Sequence, residues 1–431
     1  MKVLIISKDA WNKQNSFGNT FSNLFDGMSD IEIYNICCHG DFGNDNLVKR
    51  TLQITDRSVF KSIFKKKVDP CEIQTSQLSE DVDTGAKFLG KNIARNTFSY
   101  IARDCIWKMG RWKKSKKLNR FLEEIKPDVI YLPIYASWYT CDFQNYIIDK
   151  LGVPVVGHIT DDVYGDLRFV RSPFRRFYIR VLRQKLKKII AKCSYLEVFA
   201  ENMQREYAKR FKKECYLIGK GVDISSESPH EELSSSENKE DITFLYTGNI
   251  GAGRYKVLCM IAEALDKFIS QKNVVLKVFS ATALDKKIKK SFAKYKSLRF
   301  CGAIPFDIVK TEQGKADYLV FVEDFSKENI SKVRMSFSTK IIDYMMAEKP
   351  IFAVGSDEIY PIQLLKENNL AIVSTNEQEL KENVELIASG KTDCSCLVNN
   401  ANRYIKENRD IKIIQKGIFE RLSNIVNIRK G

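Results

Sequence analysis

The sequence predicts an α/β protein built as two doubly wound, Rossmann-like domains facing a central cleft, with a C-terminal helix crossing back to the first. Three observations carry this. A chain of 431 residues is too long for one ordinary core. Short apolar strand runs alternate with helical patterns in both halves, the mark of parallel sheets covered by helices. Between the halves lies "SSESPHEELSSSENKED", Ser225 to Asp241, rich in Ser and Glu and nearly free of apolar residues, as a surface loop should be.

The elements follow in order. "KVLIIS" at the start reads as a strand. Its apolar run, Val3 to Ile6, is too short for a secretory leader and no small-residue cleavage site follows. Phe17 to Met28 reads as a helix and "IEIYNIC" as a strand. Gly85 to Ile125 is long, basic and largely helical. "PDVIYLPIY", "VPVVGHI" and "SYLEVFA" then read as buried parallel strands. In the second half "ITFLYT", "VVLKVFS", "LRFCG", "DYLVFV", "PIFAVG" and "LAIVS" are strands. The tail from Asn402 carries Ile411, Ile414, Ile418, Phe419, Leu422, Ile425 and Val426 at helical spacing, a face that must pack on something. The expected division is 1–214, an acceptor-side domain; 215–401, a nucleotide-sugar domain; and 402–431, the returning helix. No internal repeat at solenoid period is visible.

Composition narrows the classes. Hydrophobic content of 44% and aromatic content of 11% suit a globular protein, and net charge of +16 favours a polyanionic partner. That partner is a nucleic acid, an anionic membrane face or a phosphorylated small molecule. No RNP-like strand, zinc spacing or helix-turn-helix signature supports the first. Eleven cysteines, an odd number without zinc spacing or a leader, point to a reducing compartment. "VIYLPIYASWY" from Val129 is too short for a membrane span and contains Pro133. The expected location is therefore cytoplasmic, peripheral on the inner face of the cell membrane.

"ITFLYTGNIGAGRYKVLCMIAEAL", Ile242 to Leu265, is almost a P-loop: Gly248, four residues and Gly253 are followed by Arg254-Tyr255 in place of Lys and Ser/Thr. Gly248, Gly251 and Gly253 allow tight turning, and a helix start offers N–H groups to an anion. Arg254 and Lys256 add cations. Without the magnesium-holding hydroxyl, a phosphate would be held by amides and a guanidinium fork, with no obligatory metal. The alternative is an ordinary glycine turn with two solvated cations. "VRMSFSTKIIDYMMAEKPIFAVG", Val333 to Gly355, offers a second site: Ser336, Ser338 and Thr339 as caps for a helix, with Lys340 in its first turn. A cation there opposes the helix dipole unless an anion is near; the alternative is a capped helix with a solvated Lys. His158 ends a strand just before Asp161-Asp162. It reads as a contact for a bound sugar or acceptor, or as a core histidine hydrogen-bonded to a carboxylate. Asp161-Asp162 read as loop or acceptor-side residues, one of them a base toward an acceptor hydroxyl. Arg168 to Lys192 carries ten Lys/Arg, no acid and aromatics at helical spacing; "WKMGRWKKSKK" from Trp107 is a second basic run. Both suit an anionic bilayer surface, or the solvated outer face of a core helix.

Taken in order, these segments resemble glycosyltransferases of the two-Rossmann (GT-B) type, family 4. "LIGKGVD" at Leu217 to Asp223 is similar to the family's N-G-V-D start of the second domain. "FLYTGNIGAGRYKVL" resembles its strand and glycine turn, and "LRFCGAIPFDIV" the segment flanking the donor base. "IIDYMMAEKPIFAVG" resembles E-A-M-A-x-G-x-P, and "VPVVGHITDD" the strand ending in an active-site His. The resemblance implies a retaining enzyme with no bound metal or permanent cofactor. It would move a sugar from a UDP- or GDP-linked donor to a glycan or lipid-linked acceptor, in surface polysaccharide or glycolipid synthesis. By position it implies that Arg254 takes the slot of the diphosphate-binding Lys and Asp343 that of the Glu accepting ribose hydroxyls. Thr339 and Lys340 meet the diphosphate, and Gly18 lies in the first loop facing the donor. The chain departs from the pattern at Asn249 (usually Arg), Met335 (the first Glu of E-x7-E) and Glu348 (usually Gly). An epimerase of the same fold, a non-catalytic binder and a nucleic-acid-binding basic protein are the competing classes.

Overall fold

The computed structural model describes residues 1–13, 15–43, 46–65, 68, 70–74, 97–224, 241–390 and 392–430. Two compact units result: Met1–Gly221 together with Ile411–Gly431, and Val222–Asp410. Residues 225–240, the Ser/Glu-rich loop, and residues 85–96 of the long basic segment lie outside the described residues; Asp241 begins a strand.

The first unit is an eight-stranded sheet. Its strands are β1 (Lys2–Ile6), β2 (Glu32–Cys37), β3 (Val48–Gln53), β4 (Cys71–Gln74), β5 (Val129–Pro133), β6 (Val155–Ile159), β7 (Tyr195–Val198) and β8 (Cys215–Leu217). They lie in the order β4-β3-β2-β1-β5-β6-β7-β8, and every pairing is parallel except β3 with β4. All residues of β5, β6 and β7 are buried, as strands covered on both faces require. Around them run α1 (Ser16–Phe25), α2 (Asp56–Lys65), α3 (Thr97–Met109), α4 (Lys116–Ile125), α5 (Trp138–Leu151), α6 (Pro173–Lys192) and α7 (Glu201–Phe211). The single long helical pattern is thus two helices, parted at Gly110-Arg111 by a short 3-10 turn. Strands β3, β4 and β8 were not expected. "VKRTLQ" is too polar and "CYL" too short to announce a strand.

The second unit holds β9 (Asp241–Thr247), β10 (Asn273–Phe279), β11 (Leu298–Gly302), β12 (Tyr318–Val322), β13 (Ile351–Val354) and β14 (Ile372–Ser374). All six were expected, and all pair in parallel in the order β11-β10-β9-β12-β13-β14. Its helices are α8 (Arg254–Leu265), α9 (Lys286–Phe292), α10 (Phe306–Lys315), α11 (Lys327–Val333), α12 (Lys340–Met346), α13 (Tyr360–Glu367), α14 (Glu377–Ala388) and α15 (Ser395–Asn408). Glu348, where the resemblance has glycine, adopts φ +52°. The left-handed turn survives without glycine, and Asn402 of α15 donates to Glu348 Oε1 at 2.9 Å.

The last helix, α16 (Ile411–Lys430), belongs to the first unit. Ile418 and Leu422 are fully buried and Val426 nearly so. Gln415 donates to the carbonyls of Asn23 (3.3 Å) and Asp26 (2.8 Å) at the end of α1. Arg421 grips the fully buried Glu197 of β7 with Nε at 3.0 Å and Nη2 at 2.6 Å. Removing the guanidinium strands a buried carboxylate. Arg421→Met should therefore cost about 3–5 kcal/mol, read as a lowered urea midpoint, and adding Glu197→Gln should restore much of it.

Candidate functional site

The six-stranded sheet reverses its order between β9 and β12. Chain segments leaving those two strands diverge, and in open parallel sheets ligands bind outside the carboxyl ends at such a switch point. The glycine turn, residues 248–253, leaves β9 there. Glu323-Asp324 leaves β12 beside it.

The turn is built for clearance more than for open amides. Gly248 sits at φ +141°, and a Cβ there would fall 2.4 Å from Lys340 Nζ. Gly253 caps α8 at φ +86°, and a Cβ would overlap the Asp324 carboxylate at 2.4 Å. Two N–H groups of the expected main-chain cradle are already engaged. Gly248 donates to the Phe279 carbonyl at 2.9 Å and Gly251 to Asn249 Oδ1 at 2.6 Å. Asn249 thus occupies the amide an anion would use, and it also accepts from Thr282 Oγ1 at 3.2 Å.

Side chains supply the positive charge. Arg254 Nη2 donates to Glu323 Oε1 at 2.7 Å. Burial alone would lower its pKa, but the charge and hydrogen bond of Glu323 hold it raised. Lys340, half-buried, donates to the Thr247 carbonyl at 3.1 Å and lies 4.9 Å from the centre of the Tyr246 ring. Among the described residues it has no carboxylate partner. Its pKa is pushed down to about 8, first by burial and then by the charge of Arg254, with Glu323 opposing. Two cations therefore share one carboxylate. Glu323, which the sequence reading missed, keeps its buried Oε2 without a hydrogen bond among the described residues.

Thr339 stands at the start of α12 without a side-chain cap, so the expected capping is absent. The carbonyls of Ser338 and Thr339 accept from Ile341 and Ile342 at 3.1 Å, and neither hydroxyl has a partner among the described residues. Asp343 is half-buried in the same first turn. Lys256 is exposed on α8 and makes no ion pair to a described residue. The structure thus brings together Arg254, Lys340 and Gly248, with Glu323 added, and leaves Lys256 outside.

The first-unit candidates occupy different surroundings. Gly18 lies in the first turn of α1 and not in the loop expected to hold it: a Cβ would meet the Asn12 carbonyl oxygen at 2.1 Å, and its N–H donates to Asn15 Oδ1 at 2.7 Å. Asp162 Oδ1 accepts from the Tyr207 hydroxyl (2.8 Å) and the Tyr164 N–H (3.0 Å), fixing the loop after β6, while Asp161 is exposed. His158 is 2% exposed, packed by Phe21, Tyr131 and Phe199. Burial pushes its pKa down to about 3, so the ring is neutral. Its Nδ1 is 2.9 Å from the Tyr131 hydroxyl, whose proton goes to Glu197 Oε2. Burial pushes the Glu197 pKa up; the Arg421 grip opposes this and favours the charged acceptor. With its hydroxyl hydrogen directed at Glu197, Tyr131 can only accept from His158. The ring therefore carries its proton on Nδ1 and leaves Nε2 as a bare acceptor, buried and unpartnered among the described residues.

No protein-family profile matches the chain, and no curated protein matches it by sequence. Solved structures do match over nearly its whole length. Anabaena HepE (Alr3699) in complex with UDP aligns with a TM-score of 0.62 at 14% identity, covering 98% of this chain and 100% of that one. Sucrose-phosphate synthase from Thermosynechococcus elongatus aligns with a TM-score of 0.64 at 11% identity, covering 99% and 100%. S. aureus TarM, a variant in complex with fondaparinux, alpha-GlcNAc-glycerol and UDP, gives 0.60 at 11%, with the same coverage. The two Rossmann-like units expected from the sequence are the fold these structures share with the chain.

Two measurements follow. An anion at the switch point raises the Lys340 pKa, so above about pH 8 binding must take up a proton. Affinity for sulfate, which does not itself titrate in this range, measured by calorimetry, should be flat below that pH and fall above it, by up to about tenfold per pH unit; Lys340→Met should abolish the slope. Tyr131→Phe removes the acceptor for Nδ1–H, and the His158 nitrogen-15 shifts should move from one tautomer toward a mixture.

Proposed function

We propose that this chain is a glycosyltransferase that moves a sugar from a nucleotide-diphosphate donor to an acceptor hydroxyl. The observation that carries this is the charge at the switch point: Arg254 and Lys340 share the single carboxylate of Glu323, and Lys340 has none of its own among the described residues. A diphosphate supplies the missing negative charge. The shared fold supports the same reading, since HepE is known in complex with UDP, with UDP and glucose, and with UDP-glucose.

In this reading Arg254 and Lys340 hold the diphosphate, with the Ser338 and Thr339 hydroxyls as further donors. Asp343 accepts from the ribose hydroxyls. His158 accepts a sugar hydroxyl at Nε2; a neutral ring with so low a pKa is a poor base and serves as an acceptor. Asp162 keeps Oδ2 for the acceptor side. The bond from the anomeric carbon to the diphosphate breaks as the acceptor oxygen bonds to that carbon, and charge gathers on the leaving group. Preorganised cations stabilise that charge most where it develops. In a single displacement, retention of configuration requires attack on the face the diphosphate leaves, which puts the acceptor proton within reach of a departing phosphate oxygen. The reaction is taken to need no metal. A UDP- or GDP-linked donor and a glycan or lipid-linked acceptor fit this chemistry, as does surface polysaccharide or glycolipid synthesis in the cytoplasm.

Arg254→Ala should lower turnover by about 10²–10³-fold, equivalent to roughly 2.7–4 kcal/mol in the barrier. The assay is release of nucleoside diphosphate in the presence of acceptor; near-full turnover would overturn the assignment. EDTA should leave the native rate unchanged, and UDP or GDP, but not NAD or ATP, should raise the melting temperature. Conversion of the donor into an isomeric nucleotide sugar, with no acceptor present and no net nucleotide release, would favour an epimerase, and binding without any turnover a non-catalytic role.

A further inference from the structure

The first unit carries an aromatic and cationic face that the nucleotide site does not use, and it spans three neighbouring helices. In α2 the exposed residues are Arg57, Phe60, Lys61, Phe64 and Lys65, spaced i, i+3, i+4, i+7 and i+8. In α3 an exposed apolar stripe runs through Phe98, Ala102, Cys105 and Met109. At the start of α6, Arg171, Phe174, Arg175, Arg176 and Phe177 are all exposed. Phe64, Phe98 and Phe174 present 73, 79 and 75% of their surface.

Helix α3 joins the other two. Its C-terminal end packs on α2, where Trp107 Nε1 donates to Asp56 at 2.6 Å and the Arg111 N–H to Ser62 at 3.0 Å. Its N-terminal half packs on α6 through Tyr100 and Tyr178, ring centres 6.4 Å apart. The contacts with α6 and α2, at Tyr100 and Trp107, therefore lie about 10 Å apart along one helix, and its apolar stripe runs past both.

Charge on these helices has one sign. Their acids are Asp56 and Asp104. Asp56 accepts from Trp107, and Asp104 is buried and accepts from the Tyr139 N–H at 2.9 Å. The rest of the basic stretch Arg168–Lys192 behaves differently. Leu182, Leu186, Ile189 and Ile190 face inward, Lys185 pairs with Asp142, and Lys192 pairs with Asp149 at 2.6 Å. Trp107 and Trp112 of the other basic run are buried as well. Arg180, Lys187 and Lys188 are exposed too, but the exposed aromatics of this stretch, Phe174 and Phe177, are at the start of α6.

We propose that α2, α3 and the start of α6 form one surface that docks on an anionic lipid bilayer, with the phenylalanines entering the interface and the Arg and Lys side chains meeting headgroup phosphates. A bilayer fits better than a protein partner: the apolar groups, Phe60 and Phe64 in edge-to-face contact among them, are interspersed with cations over three helices, as interfacial anchoring requires. This surface stands independently of the glycosyl-transfer reading.

The test is flotation of the full chain with phosphatidylcholine vesicles, with and without phosphatidylglycerol. Binding should require the anionic lipid. Phe60→Ser/Phe64→Ser and Phe174→Ser/Phe177→Ser should each cut the partition coefficient at least about tenfold, with melting temperatures unchanged because the residues are exposed. Equal binding to neutral vesicles, no binding, or binding indifferent to both pairs would overturn the proposal. A concentration-dependent dimer abolished by the same substitutions, seen by light scattering, would assign the face to self-association instead and also overturn it.

Discussion

Arg254 and Lys340 are held together around the Glu323 carboxylate where the second sheet changes direction, and much of the surrounding backbone is fitted to that arrangement. Gly248 has no side chain because Lys340 Nζ fills the space a Cβ would take. Gly253 has none because Asp324 does the same on the other side. The Thr247 carbonyl and the Tyr246 ring supply Lys340 with partial negative charge but no full countercharge. Like charges held close in a half-buried place disfavour one another, and the depressed Lys340 pKa expresses that tension. A bound polyanion relieves it at once, with donors already in position.

The parallel architecture was legible because buried strands are written as unbroken apolar runs. "VIYLP", "VVGHI" and "YLVFV" cannot be mistaken for a solvated face. Strands at and next to the edges are not written that way. β3, second from the edge, has only Val48 and Leu52 as apolar residues, β4 is the antiparallel edge, and β8 at the other edge is three residues long. The same distinction governs the site. Arg254 and Lys340 were visible as cations at helix starts, where a dipole makes them odd. Glu323 was hidden in plain view: the acid immediately behind a buried strand was the available signal. The engaged amides of Gly248 and Gly251 were not legible at all, because sequence does not say which carbonyl or carboxamide a turn will find.

In the first unit the polar side chains work as one chain. Arg421, on the last helix, fixes Glu197 on β7; Glu197 accepts the hydrogen bond of the Tyr131 hydroxyl; Tyr131 then dictates which nitrogen of His158 is protonated. His158 and Glu197 are register partners on adjacent parallel strands, which is what brings the two within reach of one tyrosine. The two readings of His158 thus meet in one geometry. It is a core histidine tied to a carboxylate through Tyr131, and its other nitrogen is left as an acceptor.

The three departures from the family pattern have physical accounts that differ in kind. Glu348 keeps the left-handed turn that glycine would have given and adds a bond to Asn402, so the backbone is preserved. Met335 is fully buried. A carboxylate in its place would be desolvated unless a ligand or cation met it, so this position belongs to the core of the chain. Asn249 is the departure with electrostatic consequence. Its carboxamide oxygen binds the Gly251 amide, tightening the turn, and it brings no charge. The positive charge missing there is present on Lys340, from a different element but against the same glycine, Gly248. A pocket can therefore keep its net charge while the residue carrying it moves from the turn to the facing helix. What such exchange requires is the clearance that Gly248 provides, which makes that glycine, more than any single cation, the position on which the site's electrostatics turn.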